Sequence, residues 1–248
     1  MHFFVITLFP EMFSAIEASG ITRRAFELGL SSLTLINPRD FAQGNYRRVD
    51  EKLAGGGAGM VMMAVPLIKA IEQAKSQAAD MGCKSTEVIY LSPQGQTLDE
   101  SNVCNLGDRK SLILLCGRYE GVDQRVIDAL VDHEISIGDY VLSGGELPAM
   151  VLMDALIRRL PGALGDERSA QTDSFVDGLL GYAVYTKPDE ILGVSIPAVL
   201  KSGDHKKIEK WRFLEQYTRT KNRRADMLAS FKPSKEQLKW ISEAKLDT

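Results

Sequence analysis

The chain has 248 residues, 44% hydrophobic and 25% charged, with a formal net charge of −3. This is enough apolar material for one large core or two unequal ones, which excludes a disordered chain, and the mild acidity excludes a uniform nucleic-acid coat. Three scattered cysteines without a CxxC pair and three distant histidines argue against structural zinc and fit a reducing, cytoplasmic setting, and no apolar stretch approaches the roughly 20 residues that span a bilayer.

The apolar run Phe3 to Leu8 reads as a buried strand. No basic region precedes it and Pro10 follows closely, so it is not expected to be a signal peptide. Helical spacing of apolar residues follows over Glu11 to Ala18 and Thr22 to Leu28, then a strand at Leu33 to Ile36. Arg47 to Leu53 does not read as a strand, and the glycine cluster Gly55-Gly56-Gly57-Ala58-Gly59 behind it reads as a flexible surface or substrate-side loop. Its spacing is wrong for a dinucleotide fingerprint, and no P-loop motif occurs anywhere. Pro66 to Met81 predicts a helix, Glu87 to Leu91 and Leu112 to Cys116 strands buried on both faces, Asp123 to Val131 a helix, and Glu134 to Ser136 a short strand. The alternation predicts an α/β fold with a mostly parallel sheet, whose ligands sit where strands end in loops.

Three such loops carry glycine: Ser92 to Gly95, Gly117 to Gly121 and Ile137 to Gly145. In the last, three glycines within eight residues let the backbone approach a ligand closely, while Tyr140, Val141 and Leu142 supply apolar walls for something flat. A helix expected from Leu147 through Arg159 turns its N-terminal N–H groups toward that loop. From Leu160 to Gly181 periodicity gives way to turn chemistry, which predicts an interdomain linker or mobile loop. Beyond it the chain is helical and basic: Lys187 to Lys232 carries 11 Lys and Arg against 6 Asp and Glu, whereas the first 186 residues carry 16 against 24. An acidic body with a basic tail suggests a polyanionic partner, although a solvated helical face accounts for the charge equally simply. Ser234-Lys235-Glu236-Gln237 is a capping box that opens a last helix to about Ala244.

The segments Leu8 to Phe13, Pro38 to Phe41, Tyr90 to Gly95, Cys116 to Asp123 and Ser136 to Pro148 closely resemble the bacterial tRNA (guanine-N1-)-methyltransferases, the TrmD family of the SPOUT class. The resemblance runs from Phe3 to about Arg224. It implies a parallel α/β domain with a C-terminal trefoil knot over residues 1–160, a flexible linker over 161–181 that carries the general base, and a small all-helical tRNA-binding domain over 182–248. It also implies a homodimer with an active site shared between subunits. Periodicity gives no hint of a knot, since knotted chains are rare.

The resemblance further implies S-adenosyl-L-methionine as methyl donor, held by Pro93, Gly95, Gly117, Ile137, Gly138, Asp139, Tyr140, Val141, Leu142, Gly144, Gly145 and Pro148. The implied reaction is methylation of N1 of the guanine at tRNA position 37, next to the anticodon. That nitrogen carries a proton at neutral pH, so the reaction needs a base and a positive group to steady the charge passing to O6. Asp173, in the segment Ser169 to Phe175, matches the family's base, and Arg158 matches the group that steadies O6. From the sequence alone the two would be a turn residue and a surface cation.

Glu120 matches a family residue near the target guanine that is linked with Mg²⁺ dependence, yet a lone glutamate defines no set of metal ligands. The basic segment, including Lys201, Lys210, Arg212, Arg219, Lys221, Arg223 and Arg224, resembles the tRNA-contacting part. Trp211, spaced with Ile208 and Leu214, is either a stacking platform or core. Two stretches depart from the family pattern: Lys52 to Met60, where Leu53 and Ala58 replace prolines, and Leu179 to Pro188, where Gly181 replaces an aspartate and Ala183 a proline. A SPOUT enzyme acting on another RNA and a non-enzymatic RNA-binding protein with a vestigial pocket stand as the alternatives.

Overall fold

The computed structural model describes residues 1–83, 85–166 and 172–246. The chain divides into two compact units, Met1–Glu167 and Arg168–Thr248. In the first, β1 (His2–Ile6) is followed by α1 (Ser14–Ala18), α2 (Gly20–Glu27) and β2 (Ser32–Ile36). A hairpin of β3 (Asp50–Lys52) and β4 (Met60–Met62) precedes α3 (Ala64–Asp80). The order continues with β5 (Glu87–Thr97), α4 (Glu100–Gly107), β6 (Ser111–Cys116), α5 (Gln124–Leu130), β7 (His133–Ser136) and α6 (Glu146–Ile157).

Five strands form one parallel sheet in the order β2-β1-β6-β5-β7. Every residue of β1 and β6 is buried, because both faces of the sheet are covered by helices. Side chains alternate between the faces. Phe3, Val5, Leu112, Leu114 and Cys116 enter a core closed by α6 through Ala149, Leu152, Met153, Leu156 and Ile157. Phe4, Ile6, Ile113 and Leu115 enter the opposite core, where α3 supplies Leu67, Ala70, Ile71, Ala74 and Ala78 at helical spacing.

The structure adds elements that periodicity did not predict. The stretch through Arg47 to Leu53, read as no strand, contains β3, whose Asp-Glu-Lys sequence has no apolar face to betray it. Its pairing depends on β4, and β4 is held in turn by a bridge from Met62 to Val122. Helix α4 is short and amphipathic, opened by Asp99, which accepts from Asn102 N–H at 2.8 Å within a capping box.

The second unit contains the helices His205–Arg223, Ala225–Leu228 and Lys235–Glu243. It also holds a two-stranded hairpin, Glu190–Ile191 with Val194–Ser195, where the sequence reading expected helices alone. Two-residue strands are too short to show an alternating pattern. Its core joins Leu179, Phe213, Tyr217 and Ile241. Trp211 stands partly outside it, tilted against Tyr185 at 6.2 Å between ring centroids. The last helix has the expected reciprocal cap: Gln237 N–H donates to Ser234 Oγ at 3.2 Å and Ser234 N–H donates to Gln237 Oε1 at 2.7 Å. Of the stretch read as a linker, Ala163 is buried in the first unit and Leu179 in the second.

Truncation of β6 by Leu114→Ala removes a fully buried side chain and is expected to cost about 2–5 kcal/mol. Leu192→Ala, at a residue 97% exposed, should stay within about 0.5 kcal/mol. Both tryptophans lie in the second unit, so urea unfolding followed by circular dichroism is the measurement that registers the Leu114 loss.

Candidate active site

Three segments line one cavity of about 210 Å³: an irregular stretch inside β5, which runs on to Thr97 where the sequence reading ended the strand at Leu91, and the loops that leave the C-terminal ends of its neighbours β6 and β7. The first is an excursion from β5. Leu91 pairs with Ile135 of β7, the chain loops out through Ser92 to Gly95, and Gln96 then pairs with the same Ile135. Gly95 returns so close to the Glu134–Ile135 backbone that any Cβ there would fall inside main-chain atoms.

The second loop, Gly117 to Gly121, turns sharply, with Tyr119 at φ +59° and Gly121 at φ +131°. Gly117 lies under the Tyr90 ring, where a Cβ would sit 2.8 Å from Cε2. Beyond it Glu120 N–H donates to Met60 O at 2.8 Å and Met62 N–H donates to Gly121 O at 2.9 Å, so the β3–β4 hairpin carries the outer rim of this loop. The exposed Glu120 side chain lies directly over Gly59, which has no room for a Cβ.

The third loop begins at Ser136, whose Oγ donates to Gly138 O at 3.1 Å and fixes the first turn. Tyr140 N–H closes a tight turn onto Gly138 O at 2.9 Å. The loop ends at Gly145, whose N–H donates to Gly117 O at 2.9 Å and whose missing Cβ would lie 2.7 Å from Cys116 Cα. Residue 145 therefore has to be glycine for the third loop to touch the second.

Arg118 and Glu146 tie the loops together electrostatically. Glu146, the first residue of α6, has no solvent exposure; its carboxylate accepts from Arg118 Nε at 2.8 Å and from Thr7 Oγ1 at 2.8 Å. Arg118 also donates from Nη1 to Ser143 O at 3.1 Å, and its guanidinium lies 4.4 Å from the centroid of the Phe9 ring. Burial pushes the neighbouring Cys116 thiol well up from its ordinary range, with the Glu146 charge adding to the rise and Arg118 opposing it. Burial likewise raises Tyr90, helped by Glu134 and opposed by hydrogen bonds with the Val122 backbone and the Ser92 side chain.

A sequence model for tRNA (Guanine-1)-methyltransferase TrmD matches residues 1–230 of this chain. The chain belongs to the TrmD family. Among its relatives, the tRNA (guanine-N(1)-)-methyltransferase of Dechloromonas aromatica is 55% identical over 245 residues, covering 98% of this chain and 96% of that protein. The enzymes of the same name from Aromatoleum aromaticum and Chromobacterium violaceum are 54% and 51% identical, with 98% of this chain covered and 92% and 95% of theirs.

Of the residues that the family resemblance picks out, Pro93, Gly117, Glu120, Ile137, Gly138, Tyr140, Val141, Leu142, Gly144, Gly145 and Pro148 line the one cavity. Gly95 and Asp139 are not among its lining residues; Gly95 acts by letting the loop close on β7. Arg158 is the C-cap of α6, at the end of the helix remote from the cavity. Asp173 belongs to the second unit, where the chain from Ser174 closes on itself through Phe175 N–H to Leu179 O at 2.7 Å. Ser169, Ala170 and Gln171 of its motif lie outside the described residues.

Gly181, a departure from the family pattern, donates its N–H to Ser174 Oγ at 2.9 Å in that same loop. Sequence reasoning missed Tyr90, Ser92, Arg118, Ser143 and Glu146. All five stand inside the quoted motifs, but residue type does not say which way a side chain turns. An acidic residue opening a helix normally reads as a solvated cap. Among the described residues, no group of three or more His, Cys, Asp or Glu could hold a metal ion, and no helix is long and apolar enough to cross a membrane.

Gly95→Ala should lower thermal stability and disturb the β5–β7 pairing, whereas Gly107→Ala, with open space around its Cβ, should gain about 0.4–1 kcal/mol. Thermal melts of the two variants check the contrast. A thiol reagent at pH 8 should label exposed Cys104 rapidly and leave buried Cys116 untouched until denaturant is added, as read by peptide mass mapping.

Proposed function

We propose that this chain is an S-adenosylmethionine-dependent methyltransferase acting on N1 of guanine 37 in tRNA, in the cytoplasm and as a homodimer. The observation that carries the reading is the single cavity built from three glycine-bearing loops of a TrmD-family chain. The donor set suits the cofactor: Pro93, Ile137, Tyr140, Leu142 and Pro148 offer apolar surface for an adenine, and the loop backbones offer polar groups at its edge. We further read the three loops as a trefoil knot, supported by the close backbone approaches of Gly95 and Gly145, which a threaded chain end produces.

When bound, S-adenosylmethionine supplies an electrophilic methyl group. Asp173 takes the N1 proton of the guanine, which turns that nitrogen into a nucleophile. Arg158 steadies the negative charge that collects on O6. The cavity loops hold the donor and keep water from it.

Helix length supports a site shared between two copies. The 12-residue helix α6 spans about 18 Å, more than an arginine side chain can bridge, so Arg158 cannot reach the cavity at the other end of its own helix. The same helix leaves Leu147 and Val151 nearly half exposed on the face that ends in the exposed Asp154, and Val141 in the preceding loop is 83% exposed. A second copy covering that face buries it and brings in the missing arginine.

The second unit, with Lys206, Lys207, Arg212 and Lys221 along the helix His205–Arg223, is read as the tRNA-holding part. Phosphate contacts of this kind give salt-dependent affinity, while the guanine itself is selected in the pocket. Glu120, exposed at the rim, is the residue through which Mg²⁺ would act if the reaction needs it.

A tRNA transcript with guanine at position 37 should be methylated at N1, and one with adenine there should not. Asp173→Ala should lower single-turnover methylation by about 10²-fold or more with cofactor affinity preserved. Normal turnover in that variant removes Asp173 as the base. Repeating the assay with a chelator tests the metal: a rate insensitive to its addition removes Mg²⁺ from the reading.

A further inference from the structure

The cavity wall contains a guanidinium, Arg118, yet the ligand proposed for it is a cation. S-adenosylmethionine carries a sulfonium, and its demethylated product, S-adenosylhomocysteine, differs by one methyl group and one positive charge. An unpaired arginine in the wall would repel the first and not the second. The structure pairs that arginine with a carboxylate having no solvent exposure, 2.8 Å away. Thr7 holds the carboxylate from the far side at 2.8 Å, and the N-terminus of α6, which Glu146 opens, also favours negative charge. Arg118 in turn lies across Gly144, where its side chain leaves no space for a Cβ, and binds Ser143 O at 3.1 Å.

Two aspects of this arrangement are unexplained by fold stability alone. A buried ion pair is a poor stabiliser compared with apolar residues of the same volume, because desolvation of both charges offsets their attraction. The pair also ties the second loop, where Arg118 lines the cavity, to the first residue of α6, where Glu146 lies behind that wall with no solvent exposure.

We infer that Glu146 and Arg118 are positioning residues, Glu146 cancelling the charge that Arg118 brings to a cavity wall whose other ionic lining residue is the exposed Glu120, so that the site accepts a sulfonium as readily as a thioether. Arg118 clamps the third loop at Ser143 and Gly144, and Glu146 cancels the charge that the clamp introduces. This rests on the cofactor reading given above.

Isothermal titration calorimetry with S-adenosylmethionine and with S-adenosylhomocysteine, each on the dimeric full-length protein, tests the inference through the ratio of the two dissociation constants. Glu146→Gln keeps the shape of the side chain and leaves Arg118 uncompensated. It should shift the ratio against S-adenosylmethionine by about fivefold or more at low salt. Arg118→Gln leaves the carboxylate uncompensated and should shift the ratio the opposite way. A merely structural role weakens both ligands alike and leaves the ratio where it was.

Opposite shifts in the two variants support the inference, and where one variant fails to fold, the sign of the shift in the other decides. Ratios within twofold of the unmodified protein, or shifts of the same sign, overturn it. If the unmodified protein binds neither ligand, the cofactor reading itself fails. That outcome is distinct from binding with unmoved ratios.

Discussion

Main chain touching main chain is the constraint on which the candidate site depends. At Gly95 the loop from β5 rests on the Glu134–Ile135 backbone, and at Gly145 the third loop rests on Cys116 and Gly117. No side chain fits in either place, so these two positions fix how near the three loops come to one another. Everything that faces the cavity, from Pro93 to Leu142, inherits its position from those contacts. The sheet beneath is rigid for a separate reason: β1 and β6 are buried on both faces and share five registered pairs, so the loop anchors cannot move without disturbing both cores.

Electrostatics complete what the backbone contacts begin. Glu146 draws together Thr7 at the end of β1, Arg118 after β6 and the first turn of α6. A carboxylate so placed is tolerable only because each oxygen has a partner, one a guanidinium and the other a hydroxyl. Its influence reaches Cys116, whose thiol it helps to keep protonated. In the proposed reaction Glu146 offsets the charge that Arg118 brings to the cavity wall.

Much of the fold was legible in the sequence because burial on both faces leaves unbroken apolar runs, as in Phe3 to Ile6 and Leu112 to Cys116. The β3–β4 hairpin was not legible, because Asp50-Glu51-Lys52 owes its extended form to a partner strand and to the loop at Glu120 to Val122. The lining of the cavity was largely legible through the motifs, since glycine and proline at loop positions mark backbone geometry directly. Arg118 and Glu146 were not, because nothing in a linear sequence distinguishes a charged residue that finds a buried partner 28 positions away from one that stays in water.

The sequence by itself determined that this is an α/β chain, that glycine-bearing segments follow the apolar runs ending at Leu91, Cys116 and Ser136, and that the TrmD family is its kin. Residue type and order are enough for these, because they depend on local conformation and on motifs contiguous in the chain. Only the tertiary structure decided that the loops meet in one cavity and that Arg118, in its wall, is paired with the fully buried Glu146. These are facts of distance between residues far apart in the chain, and the folded sheet, by setting which strand ends are neighbours, is what fixes them.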